Sequence, residues 1–348
     1  MTAARQLRAA LRDCAATTWE NDVMFRRQLL GAAALALATP AIRPAAAQGA
    51  WPNQPVRLIV PFAAGGPTDI PARLFAERIG EGLSQRMIVE NRTGAGVVVG
   101  TDVVAKAPKD GHTLLYTTVA HASLRPLFPR LPFDPVADLV PVALVGVIPM
   151  VVTVNKDYPA RTLAELRERV RATRGGIDYA SSGNGGALHL STELLLRRMG
   201  VSANHVPYRG TAAAMPDVLN GTIPLIVDVA TSAVPYVQRG ETRGLAVMDA
   251  RRLPQLPEVP TTAEAGFPDL EAYTWHMVLA PAGTPEPVIA AVSQAFNRVA
   301  ADAAVQRRLS DLAMRLVSDS TPASAADWLR RETAKWEGLI REANIRVE

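Results

Sequence analysis

Apolar positions along this chain keep two rhythms in turn. Val56, Leu58, Ile59 and Val60 form a short run suited to a strand covered on both faces, while Ile70, Leu74, Ile79 and Leu83 keep the approximate spacing of one helix side. Gly65-Gly66 separates them and lets the backbone turn sharply and come close to a ligand. Thr68 or Asp69 can cap the helix, and Pro71 suits a first helical turn. N–H groups left unpaired at such a helix start point back at the glycine turn and favour a carboxylate or phosphate there. A plain βα connection has the same pattern, so this stretch alone does not establish a site.

The alternation continues. Residues 86–90 and 113–119 predict a second and a third strand, and the succession of strands and helices argues for an α/β fold with a mainly parallel sheet. Residues 124–141, with prolines at 126, 129, 132, 135 and 141, predict an irregular connection. Residues 142–154 suffice for two strands or one bent strand, with Gly146 and Pro149 at the bend, and such a strand can pass between two domains. Thr162 caps an amphipathic helix built on Leu163, Leu166 and Val170. Further strands are predicted at 205–211, 223–229, 244–248 and 273–280. Thr211 lies near a helix cap, and Trp275 and His276 can touch a ligand. Three helices, from Pro285, over 304–312 and over 323–343, finish the chain.

The strand, glycine and helix design of the first unit recurs at residues 177–190. There Ser181, Ser182 and Asn184 add side-chain donors to the backbone of Gly183 and Gly185, which suits a carboxylate that needs several hydrogen bonds. Asp228 ends the run 223–229, where α/β sheets commonly place ligand contacts; it can orient a ligand hydroxyl or ammonium, or cap the helix near Thr231-Ser232. Gly94, Gly96 and Gly100 keep the spacing G-x-G-x-x-x-G, which differs from a dinucleotide loop, and no phosphate-binding lysine accompanies them.

Composition narrows the partners. The chain has 348 residues, 48% hydrophobic, with a formal net charge of +4. The first 47 residues hold six arginines and three acidic residues, leaving 31 basic against 30 acidic beyond them, a balance that does not advertise nucleic-acid or membrane binding. Arg26-Arg27, the apolar residues 29–38 and Ala45-Ala46-Ala47 before Gln48 read as a cleavable export signal. The arginine pair resembles a twin-arginine signal, with the general secretion route open, and Met24 is the expected start. Cys14 is the only cysteine and falls in that leader, so the mature chain is expected to lack disulfides and a thiol nucleophile. His112, His121, His189, His205 and His276 show no metal-ligand spacing.

Taken together, Pro61-Phe62-Ala63-Ala64-Gly65-Gly66-Pro67-Thr68-Asp69, Asn91-Arg92-Thr93-Gly94-Ala95-Gly96, Tyr179-Ala180-Ser181-Ser182-Gly183-Asn184-Gly185, His205-Val206-Pro207-Tyr208-Arg209-Gly210, Leu256-Pro257-Glu258-Val259-Pro260-Thr261 and Ala280-Pro281-Ala282-Gly283-Thr284-Pro285 resemble the Bug-type substrate-binding receptors of tripartite tricarboxylate transporters. The resemblance runs from Trp51 to the C-terminal helices. It implies a type II-like periplasmic binding protein, α/β, with two domains of mainly parallel sheets flanked by helices and joined by crossing strands. The expected division is a leader and signal peptide at 1–47, one domain of 48–150 plus 246–348, and a second of 151–245. The two domains close on a small organic carboxylate. Carried over by residue, the contacts fall on Phe62, Ala64, Gly65, Gly66, Thr68 and Asp69 from one side and on Ser181, Ser182, Gly183, Asn184 and Gly185 from the other. Thr118, Ala120, His121, Tyr208 and Asp228 are further candidates. Integral membrane transporter subunits are the implied partners, with a monomeric receptor, no nucleic acid, no metal and no cofactor.

Two departures stand out. Gly186 replaces a serine common in the family and removes one hydroxyl, and Val97-Val98 replaces a glycine and a polar residue. No arginine is securely placed to demand a second carboxylate. An enzyme would have to recruit Ser181 or Ser182 with His189 and Asp69, yet the G-x-S-x-G elbow is missing around those serines. A receptor reporting to a membrane sensor kinase would use the same cleft.

Overall fold

The computed structural model describes residues 51–346, so the leader, its arginine pair, Met24 and Cys14 lie outside the described residues. In chain order the strands are β1 (Val56–Val60), β2 (Met87–Asn91), β3 (Thr113–Thr118), β4 (Leu139–Asn155), β5 (Asp178–Ser181), β6 (Asn204–Pro207), β7 (Leu225–Val229), β8 (Thr242–Val247), β9 (Tyr273–Pro281) and β10 (Arg315–Leu316). The helices are α1 (Asp69–Gly82), α2 (Val98–Ala105), α3 (Leu124–Leu127), α4 (Leu163–Ala172), α5 (Ala187–Met199), α6 (Thr211–Leu219), α7 (Ala230–Gln238), α8 (Glu286–Ala301), α9 (Ala303–Ser310) and α10 (Pro322–Ala343), with a 3-10 turn at Val119–His121.

The strands form one path, β2-β1-β3-β9-β4-β7-β5-β6, with β8 and β10 also pairing to β4. β1 is parallel to β2 and β3, and β5 is parallel to β6 and β7, so each end of the path is a parallel set. Every pairing of β4 and β9 is antiparallel. Helices cover both faces because the apolar strands β1, β3 and β9 bury nearly all their side chains and need cover on each side.

β4 is a single strand of 17 residues and not two. Its valines and isoleucines suit an extended backbone. Its irregularities against β9 lie between Pro141 and Ala143 and between Leu144 and Gly146. Gly146 serves close approach as much as bending: a Cβ there would lie 2.7 Å from the Arg315 carbonyl of β10.

α10 is anchored by chemistry that sequence reading missed. Thr321 and Ser324 form a reciprocal cap at its start. Glu332 is buried and accepts the indole N–H groups of Trp275 and Trp336, both at 2.9 Å. Trp275 is therefore fully buried beneath this helix, and His276 is fully buried against the Tyr116 hydroxyl at 3.2 Å. Two local expectations also change. Ile70, expected on the apolar side of α1, is 39% exposed. Thr211 lies inside α6, whose cap is Gly210 at φ +101°. Thr162 does cap α4, accepting the Glu165 N–H.

Candidate functional site

Strand register alone brings the two glycine loops to face each other. Thr118 at the end of β3 pairs with His276 of β9, which pairs with Gly146 of β4. From the other side Val229 at the end of β7 pairs with Met150 of β4. Two antiparallel steps make β3 run with β4, while β7 runs against it. The C-terminal ends of the two parallel sets therefore point at one another across the short stretch of β4 from Gly146 to Met150, about 13 Å at ordinary strand rise. The loops after β1, β2 and β3 and those after β5, β6 and β7 leave the strands at these facing ends, the edge at which open α/β sheets bind ligands.

The first loop is wired internally. Gly65 adopts φ +77° with open space around its missing Cβ, so the turn itself requires glycine. Asp69, 1% exposed, accepts the Gly65 N–H at 2.8 Å and Arg73 Nε at 2.8 Å on one carboxylate oxygen, and Asn91 Nδ2 at 2.8 Å on the other. Asn91 Nδ2 also reaches the Phe62 carbonyl at 3.0 Å, and Arg73 donates to Asn91 Oδ1 at 2.7 Å. Burial raises the Asp69 pKa, but the hydrogen bonds from Arg73, Gly65 and Asn91 outweigh it and hold the carboxyl below its ordinary value. With Gly65 committed, the N–H groups of Phe62, Ala63, Ala64, Gly66 and Thr68 donate to no described residue.

The second loop uses the same offset with a different group. Gly183 and Gly185 adopt φ +132° and +68°. The Gly185 N–H donates to Nδ1 of His189, four residues on, at 3.0 Å, just as Gly65 donates to Asp69. That bond requires an unprotonated Nδ1. The imidazole stacks on His205 with ring centres 3.7 Å apart, and His205 stacks on Tyr179 at 5.1 Å. Burial first, then the neighbouring His205, lowers the His189 pKa to about 3. Ser181 is fully buried, its Oγ 2.6 Å from His205 Nε2 and within reach of the Gly183 N–H and carbonyl. The N–H groups of Ser182 and Asn184 remain without a described partner, and both side chains are at least partly exposed. Gly186 sits at φ −73°, where a Cβ would make ordinary contacts with the Gly183 carbonyl at 3.5 Å and Ser182 Oγ at 3.6 Å.

The remaining candidates divide. Thr118 ends β3 facing the gap by register, and Ala120 follows in the 3-10 turn. His121 is buried, its Nε2 3.1 Å from the Pro135 carbonyl and its surroundings including Leu329 and Thr333 of α10; burial lowers its pKa to about 4. Tyr208 joins the second loop through its backbone, donating its N–H to the Ser181 carbonyl at 3.0 Å, while its hydroxyl bonds Asp217 at 2.6 Å. Asp228, 1% exposed, accepts the Val229 N–H at 2.8 Å and the Thr211 hydroxyl at 3.1 Å on Oδ1, while Oδ2 has no described partner. Burial raises its pKa to about 6 against the hydrogen bonds from Val229 and Thr211. Its two oxygens thus stand differently: Oδ1 is hydrogen-bonded, and Oδ2, also buried, enters no hydrogen bond with a described residue.

A hydrolytic triad is not assembled. Ser181 meets His205 and not His189, whose Nδ1 is taken by a backbone N–H, and Asp69 is bonded to Arg73 and Asn91 on the opposite side. Among the described residues no group of three or more potential metal ligands occurs. A cavity of about 370 Å³ lies elsewhere, lined by Pro149, Asp249, Arg251 and Arg315 among others, and contains no residue of either loop. Sequence reading places Asn91 and His205 only within family-like motifs and His189 only in the hydrolytic alternative, and it does not single out Arg73. The shared i, i+4 spacing from Gly65 to Asp69 and from Gly185 to His189 was the available signal.

A sequence profile described as the tripartite tricarboxylate transporter family receptor matches residues 71–345. Protein BugT of Bordetella pertussis is 32% identical over 328 residues, covering 93% of this chain and all of its own length. MatC from Rhodopseudomonas palustris, solved with bound malate, superposes with a TM-score of 0.73 at 33% identity, covering 83% of this chain and 100% of its own. The R. palustris protein Rpa4515, solved with adipate, gives 0.75 at 32% identity over 85% of this chain and 100% of its own. The chain, with two parallel sets meeting end to end and glycine loops on each, belongs to the receptor family of the tripartite tricarboxylate transporters, the Bug-type periplasmic solute-binding proteins.

Proposed function

We propose that this receptor captures a small organic carboxylate between its two glycine loops and delivers it to the integral membrane subunits of a tripartite transporter. One observation carries the reading: uncommitted N–H donors lie on loops at both facing sheet edges, without an assembled nucleophile or metal site among the described residues. The malate and adipate of the two R. palustris neighbours support a carboxylate as the ligand. The contacts are the backbone of Phe62, Ala64, Gly66 and Thr68 on one side and Ser182, Gly183 and Asn184 on the other, with Thr118, Ala120, Tyr208 and Asp228 at the margins. Asp69, Gly65, Ser181, Gly185 and His189 hold those donors in place. Residues 48–150 with 246–348 form one closing domain and 151–245 the other. The leader is removed on export by the twin-arginine or the general secretion route, and the receptor works as a monomer without cofactor, nucleic acid or catalytic turnover.

Thermal shift against a panel of carboxylic acids tests the reading. At least one acid is expected to raise the melting temperature in proportion to the logarithm of its concentration. A flat response across the panel would remove the receptor function, and turnover of an ester substrate lost in Ser182→Ala would replace it with hydrolysis.

A further inference from the structure

The cavity set apart from both glycine loops has a chemistry that the transport reading does not use. It holds about 370 Å³, within the range of about 300–1,000 Å³ that small-molecule sites occupy. Its walls come from Pro149 of β4, from residues 249–255 after β8, and from α9 with the residues after it up to Leu316 of β10. It therefore lies where the chain crosses and returns. Pro149 precedes Met150, at which β4 takes up β7, and Met248 donates its N–H back to the Met150 carbonyl at 2.8 Å.

Most of the polar lining is already committed. Arg315 Nη1 donates to the buried Asp249 carboxylate at 2.6 Å and ties β10 to the stretch after β8. Arg252 is taken by Glu264 Oε2 at 2.8 Å and by the Pro257 carbonyl at 2.8 Å. Gln255 Nε2 holds the Ser310 carbonyl at 2.5 Å and joins two of the walls. With Asp249 and Glu264 each matched to an arginine, Arg251 lines the cavity with no ion pair or side-chain hydrogen bond to a described residue. Pro149, Leu253, Pro254, Met314 and Leu316 make much of the remaining lining apolar. One uncompensated positive charge beside an apolar lining suits a ligand with one negative charge and an apolar body. An aromatic ring fits these side chains best, because a guanidinium stacks on a ring face and a methionine sulfur is attracted to a ring.

We propose that this cavity is a second binding site, for an aromatic monoanion such as a ring carboxylate, with Arg251 holding the charge. The carboxylate takes the free guanidinium as a forked, charge-assisted pair, and the ring covers the apolar lining. None of the residues assigned to the carboxylate between the glycine loops takes part.

Photolabelling of the receptor with 4-azidobenzoate, mapped by peptide mass spectrometry, tests the site. Labels are expected within residues 249–255 and 306–316, suppressed by excess benzoate but not by benzamide, which has the ring without the charge. Arg251→Glu is expected to lower this labelling about ten-fold or more, and Arg251→Lys to keep part of it. Labels confined to other segments, no labelling above an unirradiated control, equal suppression by benzamide, or labelling that ignores position 251 overturns the proposal. Thermal melts check that the substitutions at this exposed position leave the fold intact, and the comparison of benzoate with benzamide needs wild type alone. Labels confined to residues 62–69 or 181–186 support the glycine-loop reading and sink this one, so the two readings fail separately.

Discussion

The two glycine loops solve one geometric problem with opposite chemistry. Each must hold a glycine N–H still while leaving neighbouring N–H groups free, and each does so with the side chain four residues later. In the first loop that side chain is a carboxylate braced by Arg73 and Asn91. In the second it is a neutral imidazole in a stack with His205 and Tyr179. The first lock is electrostatic and networked. The second depends on packing and on one protonation state. A negative charge beside an anion site is tolerable in the first loop because Arg73 offsets it; the second loop brings no fixed negative charge to its lock.

The largest effect is expected from Asp69→Ala, which strips Gly65, Arg73 and Asn91 of their common acceptor. A loss of about 3 kcal/mol in urea unfolding is expected, with weaker ligand binding, because removing one member of a buried charged network leaves the others unpaired. His189→Ala should cost about 2 kcal/mol, from one neutral hydrogen bond and a stacked ring, and a loss larger than that of Asp69→Ala would reverse the ranking of the two locks.

Acid separates the locks further. An unfolded histidine protonates near its ordinary value of about 6.5, whereas native His189 stays neutral to about 3. The unfolded chain takes up the proton first, so the His189 contribution is complete above the unfolded value and is lost as pH falls from there toward 3. Asp69 has a lowered folded pKa, so its contribution is complete above the ordinary carboxylate value of about 3.9 and disappears only as pH falls through the lower folded one. His189→Asn keeps an acceptor without a titrating ring. Compared with wild type it should flatten the acid-side stability profile by up to about 1.4 kcal/mol per pH unit between about pH 6 and 4. Parallel profiles for the two proteins would mean that the imidazole does not hold the loop.

How much of this was legible in the sequence depends on the range of the interaction. Strand runs, both glycine loops and the helices after them follow from local periodicity, and Thr162 announced its cap. The pairing of Ser181 with His205 crosses from β5 to β6, and the Trp275 indole on Glu332 joins a strand to a helix 57 residues away, so no local pattern records them. Ile70 kept helical spacing yet faces outward, because it shares the exposed side of α1 with Arg73 and Glu77 while Asp69, Pro71 and Ala72 beside it are buried. Thr211 was a fair cap by type, but Gly210 could supply the positive φ and freed the hydroxyl for Asp228.

Smaller tests refine the comparison. Gly65→Ala and Gly185→Ala each place a side chain in the left-handed region and should cost about 1–2 kcal/mol, similar in the two loops because the strain is in the backbone and not in the lock. Gly186→Ser, at an ordinary φ with room for its Cβ, should add a few tenths of a kcal/mol as a helix cap and tighten carboxylate binding through the added hydroxyl; tighter binding without added stability would assign the hydroxyl to the ligand alone.

Along β4 the neighbours change at one step: Pro149 pairs with Tyr273 of β9, and Met150 pairs with Val229 of β7. The exchange falls on the residue whose backbone nitrogen carries no hydrogen. A torsion of one half of the strand against the other, centred on that imino acid, would break no hydrogen bond donated by the residue at the seam.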